Sequence, residues 1–123
     1  LFANLISNSI DACQRGGAIR VRLSDFGGTW ATEPRLRVTI ADNGSGIKQA
    51  DISHVFEPFY TTKKDLGTGL GLWICKQIAE KYGGTIRLRS HAKPGRSWTV
   101  VSVFLPVTIS ERHNSLPPVK NVA

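Results

Sequence analysis

The stretch Arg35-Leu36-Arg37-Val38-Thr39-Ile40-Ala41-Asp42-Asn43-Gly44-Ser45-Gly46 decides how the rest of the chain is read. Leu36, Val38 and Ile40 alternate with Arg35, Arg37 and Thr39, the two-residue period of a strand with one buried and one solvated face. The run ends in Asp-Asn-Gly-Ser-Gly, a turn signal. Residues 18–25 repeat the pattern, with Ile19, Val21 and Leu23 pointing one way and Arg20 and Arg22 the other. Two glycines and a proline lie within residues 26–34, so the two runs read as a hairpin with a long loop. Further on, residues 85–91 set Ile86 and Leu88 against Arg87 and Arg89. After a Lys93-Pro94-Gly95 turn, residues 98–105 form a β-branched strand.

The helices are legible by their longer period. Phe2, Leu5, Ile6, Ser9, Ile10 and Cys13 recur at three- and four-residue steps, predicting a helix over residues 1–14 that stops at Gly16-Gly17. Residues 48–56 read as a short helix and residues 58–69 as a polar, glycine-containing loop. Leu70, Trp73, Ile74, Gln77, Ile78 and Lys81 predict a helix over residues 70–82, ended by Gly83-Gly84. Residues 107–123 lose periodicity and contain Pro117-Pro118, which reads as a loose tail. The order is helix, strand, strand, short helix, helix, strand, strand. It does not alternate strictly, which disfavours a doubly wound parallel sheet. We expect an α+β fold: a two-layer sandwich, its sheet mixed but mostly antiparallel, with helices packed on one face.

Composition narrows the function. The 123 residues suffice for one domain, and 41% hydrophobic with 20% charged is globular rather than disordered. No apolar run approaches the length of a membrane span, and no signal peptide is visible. Cys13 and Cys75 lack CxxC spacing, so neither a structural zinc site nor a disulfide framework is expected, and two free thiols fit a reducing compartment. The chain has no Met and opens on Leu1 inside an apolar-periodic run, so it reads as a piece of a longer protein.

Sixteen basic against nine acidic residues give a net charge of +7, which invites a nucleic-acid reading. Strand periodicity changes it. Arg20, Arg22, Arg35, Arg37, Arg87 and Arg89 all occupy outward positions, so six of the sixteen basic residues fall on the sheet face away from the helices. A solvated face kept soluble by charge is the simplest account; docking of an acidic partner is the alternative.

Four stretches carry chemistry. Asn4 and Asn8 share a helical face, continued by Asp11. That face is either plainly solvated or a source of amide groups for a metal or phosphate. Asp42 to Gly46 is either a tight turn or a carboxylate beside glycines that let a ligand approach. Gly67-Thr68-Gly69-Leu70-Gly71 opens a helix and resembles a phosphate cradle, although neither a P-loop lysine nor a preceding strand is present. Phe56-Glu57-Pro58-Phe59-Tyr60-Thr61-Thr62-Lys63 reads by itself as packing beneath a loop, with Lys63 and Lys64 placed to meet phosphate by charge.

Taken in order, Asn-Leu-x-x-Asn, Asp-x-Gly-x-Gly, Phe-Glu-Pro-Phe and Gly-x-Gly-Leu-Gly resemble the four boxes of the ATP-binding domain of sensor histidine kinases. That family shares a superfamily with gyrase, mismatch-repair ATPases and a heat-shock chaperone. The resemblance runs from Leu1 to Pro106 and implies a catalytic domain over residues 1–106, truncated at its N-terminus, with the tail outside it. It implies ATP and Mg²⁺ as ligands and γ-phosphoryl transfer to a histidine. Asn4 and Asn8 would be the catalytic pair, with Asn8 on the metal and Asn4 on the phosphate side. Asp42 would take the adenine amine, Gly44 and Gly46 would shape the pocket, and Ile47 would lie beside the base. Gly67, Thr68, Gly69 and Gly71 would line the phosphates, with Leu70 packed near the nucleotide. Asp11, Phe59, Thr62 and Lys63 complete the binding set. Thr99 would match a threonine that bonds the adenine-binding Asp, and the span from Thr62 to Gly67 implies a small lid.

The resemblance further implies a homodimeric parent with its own dimerisation and phosphoacceptor domain, and a response regulator as partner. Neither nucleic acid nor direct membrane contact is expected. The implied compartment is the cytoplasm, with the parent anchored in the inner membrane or soluble. His54, His91 and His113 do not fall in the family's acceptor pattern. A conformational ATPase of the same superfamily would need a water-activating Glu one turn before the metal Asn, where this chain has Asn4.

Overall fold

The computed structural model describes residues 1–27, 33–63 and 67–107. Helix α1 (Phe2–Ala12) is followed by strands β1 (Ile19–Phe26) and β2 (Arg35–Asp42). Then come a single helical turn α2 (Gln49–Ile52), helix α3 (Gly71–Lys81) and strands β3 (Thr85–His91) and β4 (Trp98–Pro106). The strands form one sheet in the order β1-β2-β4-β3, and every pairing is antiparallel. The expected α+β sandwich is therefore observed, with no parallel pair among the described strands.

Register follows from the alternation. Val21, Ile40, Val101 and Leu88 lie in one row across the sheet, and Leu23, Val38, Val103 and Ile86 in the next. Directly opposite residues share a face, so these rows form the apolar side. Onto it pack Leu5 of α1 and Cys75 and Ala79 of α3, which with Ile40, Val101 and Val103 make the core. The small side chains of Cys75 and Ala79, both fully buried, let α3 sit close to the sheet and to α1. Burial lifts the Cys75 thiol above its ordinary pKa.

Two expectations are corrected. Val21 and Leu23 read as inward residues of a half-buried strand, yet they remain 49% and 64% exposed. Strand β1 is an edge strand, and the core cluster draws on β2, β4 and the helices. The helix expected over residues 48–56 stops after Ile52. Beyond it the chain continues in three-residue turns, with the N–H groups of His54, Glu57 and Tyr60 donating to the carbonyls of Asp51, His54 and Glu57. The lysine expected at phosphate in position 64, the histidine at 113 and the tail beyond 107 lie outside the described residues. No helix among the described residues is long and apolar enough to cross a membrane.

Candidate functional site

Residue spacing on α1 sets the site. Leu5 and Ser9 lie four apart on the buried face, and Asn8 and Asp11 flank that line. The helix therefore plugs the core with Leu5 while presenting polar groups beside it. A cavity of about 520 Å³ opens there, bounded by α1, the end of β2, the start of α3 and residues 42–47, 60–63 and 67–69. That volume suits a small organic ligand.

One end of the cavity is a buried carboxylate in an apolar frame. Asp42, the last residue of β2, is only 7% exposed. Its Oδ2 accepts a hydrogen bond from the Ser9 hydroxyl at 2.8 Å, and its Oδ1 accepts one from the Gly44 N–H at 3.0 Å. Each carboxylate oxygen has a second lone pair, so Asp42 is held in place and still able to accept from a ligand. Ile47, Val55, Leu72, Leu88 and Val101 supply apolar walls nearby.

Thr99 lies opposite Asp42 across β2 and β4. Its hydroxyl meets Ser90 Oγ at 2.8 Å rather than Asp42, which corrects the sequence expectation. Ser90 has one proton, and that proton goes to the Trp98 carbonyl at 2.8 Å, while its oxygen accepts the Ile47 N–H at 2.8 Å. Thr99 must then donate to Ser90, which leaves its oxygen an acceptor towards the cavity. The bond expected from threonine to Asp42 is supplied by Ser9 instead. Sequence reading missed Ser9 because it stood in the apolar stripe of α1; its polarity at a core-facing position was the available signal.

Glycine geometry holds the loops in place. Gly46 has φ +70°, and a Cβ there would lie 2.1 Å from the His91 carbonyl oxygen. Only a glycine lets this turn pass so close to the end of β3. Gly69 has φ +71°, and its Cβ would fall 2.4 Å from the Phe59 carbonyl carbon. The loop before α3 is thus pressed backbone to backbone against Phe59, which itself has φ 66°.

The other end of the cavity is polar. Asn8 faces the first residue of α3: a Cβ on Gly71 would lie 3.9 Å from Asn8 Nδ2. Gly67, Thr68, Gly69 and Gly71 line this end, together with Thr62. The N-terminus of α3 brings unpaired backbone N–H groups and the positive end of the helix dipole to the same place. Lys63 Nζ pairs with Asp11 Oδ2 at 2.6 Å across the rim. Beside it, the Tyr60 hydroxyl donates to Asp51 Oδ1. That bond favours the neutral phenol and raises its pKa.

The cavity therefore brings together Asn8, Asp11, Asp42, Gly46, Ile47, Thr62, Lys63, Gly67, Thr68, Gly69, Gly71 and Thr99. Four expected residues do not line it. Asn4 sits one helical turn before Asn8, outside the lining. A Cβ on Gly44 would meet Ala12, so Gly44 packs under α1. Leu70 precedes α3 outside the lining, and Phe59 projects into solvent, 75% exposed. Among the described residues no cluster of His, Cys, Asp and Glu has metal-binding geometry, so a cation here would rely on Asn8 and on a ligand's own oxygens.

Comparison with known proteins agrees with this geometry. Residues 1–109 match the family described as histidine kinase-, DNA gyrase B-, and HSP90-like ATPase. Sporulation kinase D of Bacillus subtilis is 36% identical over 110 residues, covering 89% of this chain and 20% of the relative. The sensor histidine kinase ZraS of Escherichia coli K12 is 35% identical over 112 residues, covering 91% and 22%. The chain thus spans about a fifth of the length of these curated relatives. Among solved structures, the mycobacterial sensor histidine kinase MprB superposes with a TM-score of 0.71 at 30% identity, covering 84% of this chain and 67% of that one. The nucleotide-free catalytic domain of histidine kinase ThkA gives 0.66 at 32% identity, covering 84% and 61%. With its cavity, its buried aspartate and its glycine-framed helix start in place, the chain belongs to the family of histidine kinase-, DNA gyrase B- and HSP90-like ATPases.

Proposed function

We propose that this chain is the ATP-binding catalytic domain of a two-component sensor histidine kinase. The observation that carries the proposal is the polarity of the cavity, with a buried, oriented carboxylate at one end and a helix N-terminus framed by glycines at the other. An adenine ring fits the first end. Its exocyclic amine can donate to Asp42, its edge can use the Thr99 oxygen, and its faces can lie against Ile47 and the apolar walls. A triphosphate fits the second end, where Gly67, Thr68, Gly69 and Gly71 offer backbone N–H groups without side chains in the way.

Mg²⁺ belongs to the same proposal. Asn8 is the residue that would hold it through its amide oxygen, and the ion, when bound, offsets charge on the phosphate oxygens. This chain's own part in phosphoryl transfer is positioning. Asp42 sets the depth of the base, the start of α3 sets the line of the phosphates, and Asn8 fixes the end from which the terminal phosphoryl leaves. Lys63 can exchange its Asp11 partner for a phosphate oxygen.

The acceptor would be a histidine on a separate dimerisation domain, and the phosphoryl would pass to a response regulator. The parent would be a homodimer acting in the cytoplasm. His54 is already bonded to Glu57 at 2.9 Å on the short turn before the rim, a placement that suits a structural role better than an acceptor's. Mixing this chain with a dimerisation domain that carries the acceptor histidine, in labelled ATP and Mg²⁺, tests the proposal. Acid-labile phosphohistidine on the added domain supports it; steady phosphate release with no phosphohistidine would point to a conformational ATPase instead.

A further inference from the structure

The sheet face remote from the nucleotide cavity has a shape of its own. Across it the register sets two rows, Arg20-Ala41-Val100-Arg89 and Arg22-Thr39-Ser102-Arg87. Within these two rows the edge strands carry the arginines and the central strands carry small side chains; the flanking rows put Arg37 and Phe104 at one end, and Trp98 at the other, on the central strands. All four arginines are exposed, whereas Thr39, Ala41, Val100 and Ser102 are half-buried. The result is a short, shallow trough two rows long, with a smooth floor and a cationic wall on each side. Three inter-strand spacings separate the walls, about 14 Å. An α-helix with its side chains is about 10–12 Å across. Within each wall the two arginines stand two strand residues apart, about 6.7 Å, close to the rise of about 6 Å between helix positions i and i+4.

The charge on this face is unanswered. Among the described residues, the ion pairs are His54–Glu57, Lys63–Asp11 and Lys76–Glu80, and none involves these arginines. The two acidic residues within strands, Asp25 and Asp42, fall on the helix-covered face by register. One arginine is also pre-set. The Arg87 guanidinium lies over the Phe104 ring, 5.3 Å from its centroid, a cation–π contact that restrains it on this wall. Phe104 is buried on this otherwise open face beneath Arg87 and against Phe26, whose ring is 5.0 Å away. Packing of that kind holds the wall rigid before any partner arrives.

We propose that the trough docks an acidic α-helix of a partner protein, lying along the strands. The helix would carry carboxylates at i and i+4 on both flanks and small apolar residues on the ridge between them. The flanks would pair with Arg20 and Arg22 on one wall and Arg87 and Arg89 on the other, and the ridge would cover Thr39, Ala41, Val100 and Ser102. Because the nucleotide cavity opens on the opposite face, both sites can be filled at once.

The test uses this chain and a synthetic helical peptide with glutamates at i and i+4 on both flanks and alanines between. The control is a peptide of the same composition, scrambled so that no face carries both rows. Binding is read by fluorescence anisotropy at low salt. The expected result is at least tenfold tighter binding of the patterned peptide than of the scrambled one. R20E/R87E should abolish that preference with the thermal midpoint retained. Two results would overturn the proposal: equal binding of both peptides, which would mean diffuse charge attraction, or a preference that survives R20E/R87E. Tighter binding of phosphatidylglycerol vesicles or of an oligothymidylate than of the patterned peptide would also reject it, in favour of a membrane or a nucleic acid.

Discussion

The Ser9 hydroxyl donates to Asp42 Oδ2 at 2.8 Å, joining the buried face of α1 to the end of β2 with both side chains sequestered. The carboxylate is thereby fixed before a ligand enters, so part of the ordering cost of recognition is met in the free protein. Replacing Ser9 by Ala removes that donor and leaves Asp42 held by the Gly44 N–H alone. A typical intramolecular hydrogen bond contributes about 0.5–1.5 kcal/mol, so ATP affinity should fall by about 3–10-fold. Calorimetric titration of Ser9→Ala checks this, and unchanged affinity would show that Gly44 alone orients the carboxylate.

Gly69 and Gly71 separate conformation from space. Gly69→Ala places a Cβ at positive φ and 2.4 Å from backbone that cannot yield. It should cost at least about 1–2 kcal/mol and displace the loop before α3, lowering both the thermal midpoint and ATP affinity. Gly71→Ala adds a Cβ whose nearest neighbours outside its own helix are the Asn8 amide atoms at 3.9 and 4.0 Å. The fold should tolerate it, while the narrowed space before Asn8 weakens the triphosphate more than adenosine. Unfolding curves and paired titrations of both ligands distinguish the two effects.

The Lys63–Asp11 pair spans the rim, and both side chains are about half exposed. Such a pair adds little stability, about 0–1 kcal/mol, so Asp11→Asn should leave the thermal midpoint nearly unchanged. It releases Lys63, however, and ATP affinity should rise a few-fold at low salt while adenosine affinity stays constant. Titrations at two ionic strengths read this directly, and the gain should shrink as salt rises.

The two thiols should differ sharply. Cys75 is fully buried between α1 and the sheet, and burial raises its pKa, whereas Cys13 is partly exposed at the end of α1. A raised pKa keeps the thiol protonated and unreactive at neutral pH. In a labelling time course, Cys13 should react first and Cys75 only as the core opens. The Cys75 rate should rise with denaturant in step with unfolding, and early labelling of Cys75 would contradict the packing of α3 described here.

The strands were legible because alternation survives wherever one face is buried, whereas the register that sets Asp42 opposite Thr99 comes from the folded sheet. Exposure at Val21 and Leu23 was not legible, since a strand's pattern does not report whether it lies at an edge. Asn8, Asp42, Gly67, Thr68, Gly69 and Gly71 line one cavity. Asn4 does not join them, because one helical turn before Asn8 carries it outside the cavity lining. Ser9 and the Ser90–Thr99–Ile47 linkage escaped because they depend on hydroxyl directions between elements distant in sequence.

In the proposed function Asp42 receives the adenine amine. Calorimetric titration of ATP and GTP, with Mg²⁺, into wild type and Asp42→Asn tests it most directly. Asn keeps the shape and can still pair with Ser9 and Gly44, so the fold should persist with an unchanged thermal midpoint. A hydrogen bond to a charged acceptor contributes about 1.5–3 kcal/mol. ATP should therefore bind wild type in preference to GTP, whose ring presents an oxygen where adenine has its amine, and Asp42→Asn should lose at least about tenfold in ATP affinity together with that preference. Equal ATP affinity in the folded variant and wild type would contradict the account.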